Sequence, residues 1–246
     1  MSDLAIIGGS GLTRLNGTVV TRQQEYETPY GMPSGTLTYG TYADKEIIFL
    51  PRHGDPHVIP PHKVNYRANI WALKEHQVKN IIGINAVGGI TGEMYPGRLT
   101  CPDQIIDYTW SRAHTFFEDN LSTAMHIDFS QPYSRNLRSL LINTAMTEKL
   151  DLSPAATYGV TQGPRLETAA EIERMERDGC DIVGMTGMPE ASLAKELEIN
   201  YVSISIVANW AAGKSSDEIT MEVIEKNMRN ALEKVHALLA AVIPKI

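Results

Sequence analysis

Five apolar runs in this chain end in groups that could do chemistry. Ile204-Ser205-Ile206-Val207-Ala208 stops at Asn209. A neutral amide donates one hydrogen bond and accepts another, which suits the edge of a purine; an asparagine that only closes a strand and opens a turn is the plainer reading. Leu4-Ala5-Ile6-Ile7 runs into Gly8-Gly9-Ser10-Gly11, where glycines let successive N–H groups converge and the Ser10 hydroxyl adds a donor. This stretch is neither a Walker motif nor a full dinucleotide fingerprint, and a tight turn would explain it as well. Ile47-Ile48-Phe49-Leu50 precedes Arg52-His53-Gly54, whose forked, permanently charged guanidinium and imidazole both suit phosphate oxygens; a solvated basic turn is the alternative. Asn85-Ala86-Val87-Gly88-Gly89 repeats the glycine-rich ending, and Met185-Thr186-Gly187 offers a hydroxyl just before Pro189, a residue suited to opening a helix. The last four endings together point to one oxyanion site, with phosphate the first candidate.

The elements that hold these groups follow from hydrophobic periodicity. Strands are predicted at Leu4 to Ile7, Glu46 to Leu50, Asn80 to Ala86, Ile105 to Asp107, Asp181 to Val183 and Tyr201 to Val207. Helices are predicted at Val64 to Glu75, Arg135 to Lys149, Ala169 to Asp178 and Pro189 to Glu198. A last helix is expected from about Asp217 to Ala241, capped by Asp217 or Ser216. Interleaved strands and helices make the class α/β, with helices around a mostly parallel or mixed sheet. No linker or repeat divides residues 1–246, so one domain is expected. Asn209 would then lie at the carboxyl end of a strand, where such sheets place their ligands. The richest loop, Pro51 to His62, holds His53, His57 and His62 without the cysteine or carboxylate pattern of a zinc site, so no metal is expected.

Bulk properties narrow the partners. A net charge of −7 argues against a nucleic-acid surface, which needs a basic footprint. No apolar run approaches the ~20 residues of a membrane span, and no basic n-region precedes Leu4. Two cysteines, Cys101 and Cys180, are too few for a disulfide framework, so a reducing cytoplasm is the expected compartment.

Read together, these segments resemble one family over nearly the whole chain: the trimeric purine nucleoside and methylthioadenosine phosphorylases. The resemblance rests on Ile6-Ile7-Gly8-Gly9-Ser10-Gly11-Leu12, Arg52-His53-Gly54, the run from Lys63 to Lys74, Asn85-Ala86-Val87-Gly88-Gly89, Gly163-Pro164-Arg165, and Met185-Thr186 before Pro189-Glu190. It implies a phosphate site of Ser10, Arg52, His53, Thr186 and the Ala86 backbone N–H, with Asn85 beside them and Met185 under the ribose. It also implies a homotrimer, alone or paired into a dimer of trimers, in which His126 reaches a neighbouring subunit's site. Inorganic phosphate would be a co-substrate, with no organic cofactor.

The chain departs from the methylthioadenosine branch at the base. Adenine-reading members carry Asp-Tyr-Asp where this chain has Asn209-Trp210-Ala211, and a small hydroxyl residue where it has Glu167. Glu167 and Asn209 resemble the pair that reads hypoxanthine and guanine. A 6-oxopurine carries an N1–H that a carboxylate can accept, whereas neutral adenine presents a bare N1. Leu166 stands where the family usually has a phenylalanine against the base. At the 5′ end, Met221 replaces the histidine that meets a 5′-hydroxyl, with Ile224 one turn on; a core stripe of the last helix is the alternative. An oxopurine base and an apolar 5′ group together describe 5′-methylthioinosine. Other readings are a general inosine and guanosine phosphorylase, a methylthioadenosine phosphorylase, and a nucleoside-binding sensor. A Rossmann-type oxidoreductase would need an acidic residue where Arg52 stands.

Overall fold

A computed structural model describes residues 2–119, 123–216 and 220–246; the side chains of Met221 and Glu225 are also outside the described set. The strands are β1 (Leu4–Gly8), β2 (Val19–Gln24), β3 (Leu37–Tyr42), β4 (Lys45–Pro51), β5 (Asn80–Gly89), β6 (Leu99–Thr100), β7 (Gln104–Asp107), β8 (Leu152–Ser153), β9 (Thr157–Val160), β10 (Ile182–Gly184) and β11 (Asn200–Trp210). The helices are α1 (Tyr66–Glu75), α2 (Arg135–Thr147), α3 (Ala169–Arg177), α4 (Gly187–Glu196) and α5 (Met221–Val242). All described strands join one mixed sheet.

That sheet forks at β5. One edge of β5 pairs in parallel with β11 along its whole length. The other edge pairs in parallel with β1 over Asn80 to Gly83, then antiparallel with β10 at Gly88 and Gly89. Between β1 and β10 a gap opens along residues 84–87, and the predicted strand ends converge on it.

Both faces of the sheet are buried. Ile6, Ile82, Ile84, Val202, Ile204 and Ile206 pack toward α2 and α5, while Ile7, Ile81, Val87 and Val207 pack toward α1 and α4. Burial on both sides explains why these strands read as near-continuous apolar runs. α3 packs with Val183 and Ile90 in a smaller cluster. Every predicted strand and helix is present, with ends shifted by a few residues.

The differences have local causes. β2 is an edge strand whose residues are mostly exposed, so its sequence, Val19-Val20-Thr21-Arg22-Gln23-Gln24, shows no apolar alternation. The apolar pattern of β9 is broken by Gly159, where a Cβ would meet Met175 and Cys180. The last helix starts at Met221, with the Thr220 side chain accepting from Val223 N–H, and not at the Ser216 or Asp217 cap expected; Asp217 lies outside the described residues. Among the described residues, no helix is long and apolar enough to cross a membrane.

Candidate active site

A cavity of about 340 Å³ occupies the gap in the sheet, a size suited to a small ligand. At one end it gathers Ser10, Arg52, His53, Asn85, Ala86 and Thr186; at the other it gathers Leu166, Glu167, Asn209 and Ala211, with Met185 also lining it.

Arg52 anchors the first end. Its side chain is fully buried, donating through Nε and Nη2 to the two Glu190 carboxylate oxygens at 2.6 Å each, and through Nη1 to the Ile84 carbonyl at 2.8 Å. A guanidinium has five N–H donors, so these three bonds leave one on each terminal nitrogen for an anion. Burial alone would lower the Arg52 pKa, but the Glu190 carboxylate raises it above the ordinary value. The charge is therefore permanent. Glycine is required nearby: a Cβ on Gly9 would sit 2.5 Å from the Ile84 carbonyl and 3.0 Å from Arg52 Nη1. One on Gly83 would meet the Tyr201 hydroxyl, which donates to Glu190 at 2.7 Å.

His53 Nδ1 lies 2.8 Å from the Ile59 carbonyl. A carbonyl only accepts, so Nδ1 carries the proton and neutral His53 keeps a bare Nε2. Burial, then the Arg52 charge, push its pKa down to about 4. The His57 ring stacks on it at 4.4 Å. A bare Nε2 beside a fixed cation suits an anion that carries its own proton, such as hydrogen phosphate.

Thr186 and Asn85 form a buried relay. The Thr186 hydroxyl meets Asn85 Oδ1 at 3.1 Å, Asn85 Nδ2 donates to Ser203 Oγ at 2.6 Å, and Ser203 and Ser205 hydroxyls lie 3.2 Å apart. The Ile84 carbonyl points into the gap, so strand alternation turns the Ala86 N–H the same way. Asn85 points instead toward β11, which makes it a support for Thr186.

At the second end, β11 carries a bulge. Val207 pairs with Val87, but Asn209, not Ala208, pairs with Gly88. Bulges re-aim side chains, and this one brings Asn209 to the cavity wall. Asn209 Nδ2 donates to the Trp210 carbonyl at 2.7 Å, which leaves its second N–H and its carbonyl oxygen for a ligand. The Glu167 carboxylate accepts from the Thr161 hydroxyl at 2.6 Å. Leu166 is half exposed at the rim, and Ile224 of α5 adds an apolar wall.

Two expected site residues stand apart, and the place of a third is outside the described side chains. Trp210 does not line the cavity, although both its neighbours do. His126 is exposed and contributes nothing to this chain's own cavity. The Met221 side chain lies outside the described residues. Conversely, Glu190, Tyr201, Thr161 and Arg112 carry weight that spacing did not suggest. Arg112 donates to the carbonyls of Met185, Met188, Thr161 and Gln162, tying the loop after β9 to the loop after β10. A carboxylate on the buried stripe of α4, with Leu193 and Ala194, was the readable sign of Glu190.

Residues 3–244 match the phosphorylase superfamily. The chain belongs to that superfamily. Among its relatives in the superfamily is a probable S-methyl-5′-thioinosine phosphorylase of Pseudomonas syringae pv. tomato, 54% identical over 99% of both chains. A 6-oxopurine nucleoside phosphorylase of Pyrococcus furiosus is 44% identical over 100% of this chain and 94% of its own. Of solved superfamily structures, methylthioadenosine phosphorylase from Schistosoma mansoni in complex with adenine superposes with a TM-score of 0.94 at 31% identity, covering 99% of this chain and 91% of that one.

Proposed function

We propose that this chain catalyses phosphorolysis of S-methyl-5′-thioinosine to hypoxanthine and 5-methylthioribose 1-phosphate. The observation that carries this reading is a single cavity with a buried, permanent cation at one end and the Glu167 and Asn209 pair at the other. The relative named for S-methyl-5′-thioinosine, at 54% identity, supports it.

Phosphate held by Arg52, His53, Ser10, Thr186 and the Ala86 N–H attacks C1′ as the bond from C1′ to N9 breaks. The electron pair of that bond passes to the purine. Glu167 accepts the oxopurine N1–H, and the Asn209 amide meets N7 and O6, where negative charge grows. Much of the acceleration is positional, since two reactants are held in line. Phosphate supplies the nucleophile, so the reaction calls for no organic cofactor or metal. Ile224 walls the 5′ end of the cavity, and one methylthio group against an apolar wall is worth about 1–3 kcal/mol over a hydroxyl.

The exposed apolar residues Trp110, Met125 and Leu166, the second of them next to His126 in the chain, fit a subunit interface. The active unit is then a homotrimer in which His126 serves the neighbouring site. Two buried free thiols fit a reducing cytoplasm, where released hypoxanthine enters purine salvage.

The deciding experiment compares methylthioinosine, inosine and methylthioadenosine, each with and without phosphate. Phosphate-dependent release of hypoxanthine, fastest from methylthioinosine, is the expected result. Preference for methylthioadenosine would overturn the base assignment, and preference for inosine would overturn the 5′ assignment. Binding without turnover would make the chain a sensor.

A further inference from the structure

The bulge that presents Asn209 is itself held from the last helix. Ala208 is the extra residue of β11 and has no counterpart on β5. A bulged residue falls out of the ladder, so its buried polar groups need another partner. The Ala208 carbonyl finds one in the side chain of Asn227, whose Nδ2 donates to it at 2.8 Å. Asn227 follows Ile224 by three residues on α5, a spacing that puts the two on one helix face, and Ile224 lines the cavity. Beyond Asn209 the chain is fixed again, because the Asn209 amide donates to the Trp210 carbonyl and Ala211 N–H donates to the Gly89 carbonyl. Asn209 is thus gripped on both sides, by α5 before it and by β5 after it.

We infer that Asn227 is a positioning residue: by holding the Ala208 carbonyl it sets the backbone at Asn209 and so aims the amide that meets the departing base. The inference rests on the role of Asn209 given under the proposed function. It joins two parts of specificity in one unit, since the helix face that walls the 5′ group also seats the residue that meets the base. A substituent that presses on Ile224 is therefore felt at the leaving group.

The test is a double-mutant cycle on the full-length protein with methylthioinosine and phosphate. Asn227→Ala removes the donor, and Asn227→Asp keeps the shape while turning an acceptor toward the carbonyl; if the first fails to fold by thermal melting, the second carries the cycle. Each alone is expected to lower kcat roughly tenfold and leave KM for phosphate unchanged, because the anion end stands on other strands. Added to Asn209→Ala, either is expected to change kcat by less than about twofold, since the residue it positions is gone. The same loss in both backgrounds would show a merely structural role and overturn the inference, as would unchanged kcat in the single variants. Unchanged kcat in Asn209→Ala alone would overturn the role of Asn209 itself, and this inference with it.

Discussion

Arg52 brings a full positive charge into the interior and meets it with Glu190. Such a pair adds little net stability over an apolar one, but removing one partner strands the other in a medium that solvates it poorly. Glu190→Gln is therefore expected to cost about 3–5 kcal/mol in denaturant unfolding. Phosphate, by replacing the missing negative charge, should restore part of that loss. A loss of similar size that phosphate leaves untouched would mean that Arg52 does not face the anion. His53 makes a second expectation at this scale. Its pKa in the fold is about 4, below the ordinary 6.5, so the folded state disfavours the protonated ring. Its contribution to stability is complete above pH 6.5 and is lost as pH falls from there toward 4. His53→Gln should flatten the dependence of the melting temperature on pH across that window; an unchanged slope would remove His53 as its source.

At the scale of elements, the site depends on a fork, a bulge and a staple. Arg112 is the staple, and its planar set of donors spans four carbonyls that one ammonium cannot reach together. Arg112→Lys is expected to lower unfolding free energy by about 2–4 kcal/mol and to raise KM for nucleoside, measured by denaturant titration and initial rates. The sequence showed the elements well where burial was two-sided. Apolar runs such as Ile204 to Ala208 are legible because both faces of the central sheet are covered. It also showed the strand ends that line the cavity, because they carry glycine, Arg52 and Thr186 in recognisable patterns. It did not show what fixes those groups. Glu190 lies 138 residues from Arg52, and only the folded sheet makes them neighbours. The bulge at Ala208 was equally hidden, since a run of apolar residues has no mark for the one that falls out of register. Trp210 shows the cost: counted with Asn209 and Ala211 in sequence, it stands off the cavity wall in space.

At the scale of the whole molecule, the cavity draws on residues from Gly9 to Ile224, so no half of the chain contains the site. If the exposed apolar residues Trp110, Met125 and Leu166 form a subunit interface, the particle in solution should have about three times the 27.2 kDa mass of one chain. The forked strand carries a different consequence, visible in the exchange of backbone hydrogen for deuterium. Asn85 and Val87 turn their amides toward β11, deep in the sheet, and should exchange only when the molecule unfolds globally. The Ala86 amide between them turns into the gap, so it should exchange from the native state and slow when phosphate is added. Uniformly slow exchange at all three positions would contradict that geometry. One strand thus keeps two clocks, a slow one set by the fold and a fast one set by the ligand.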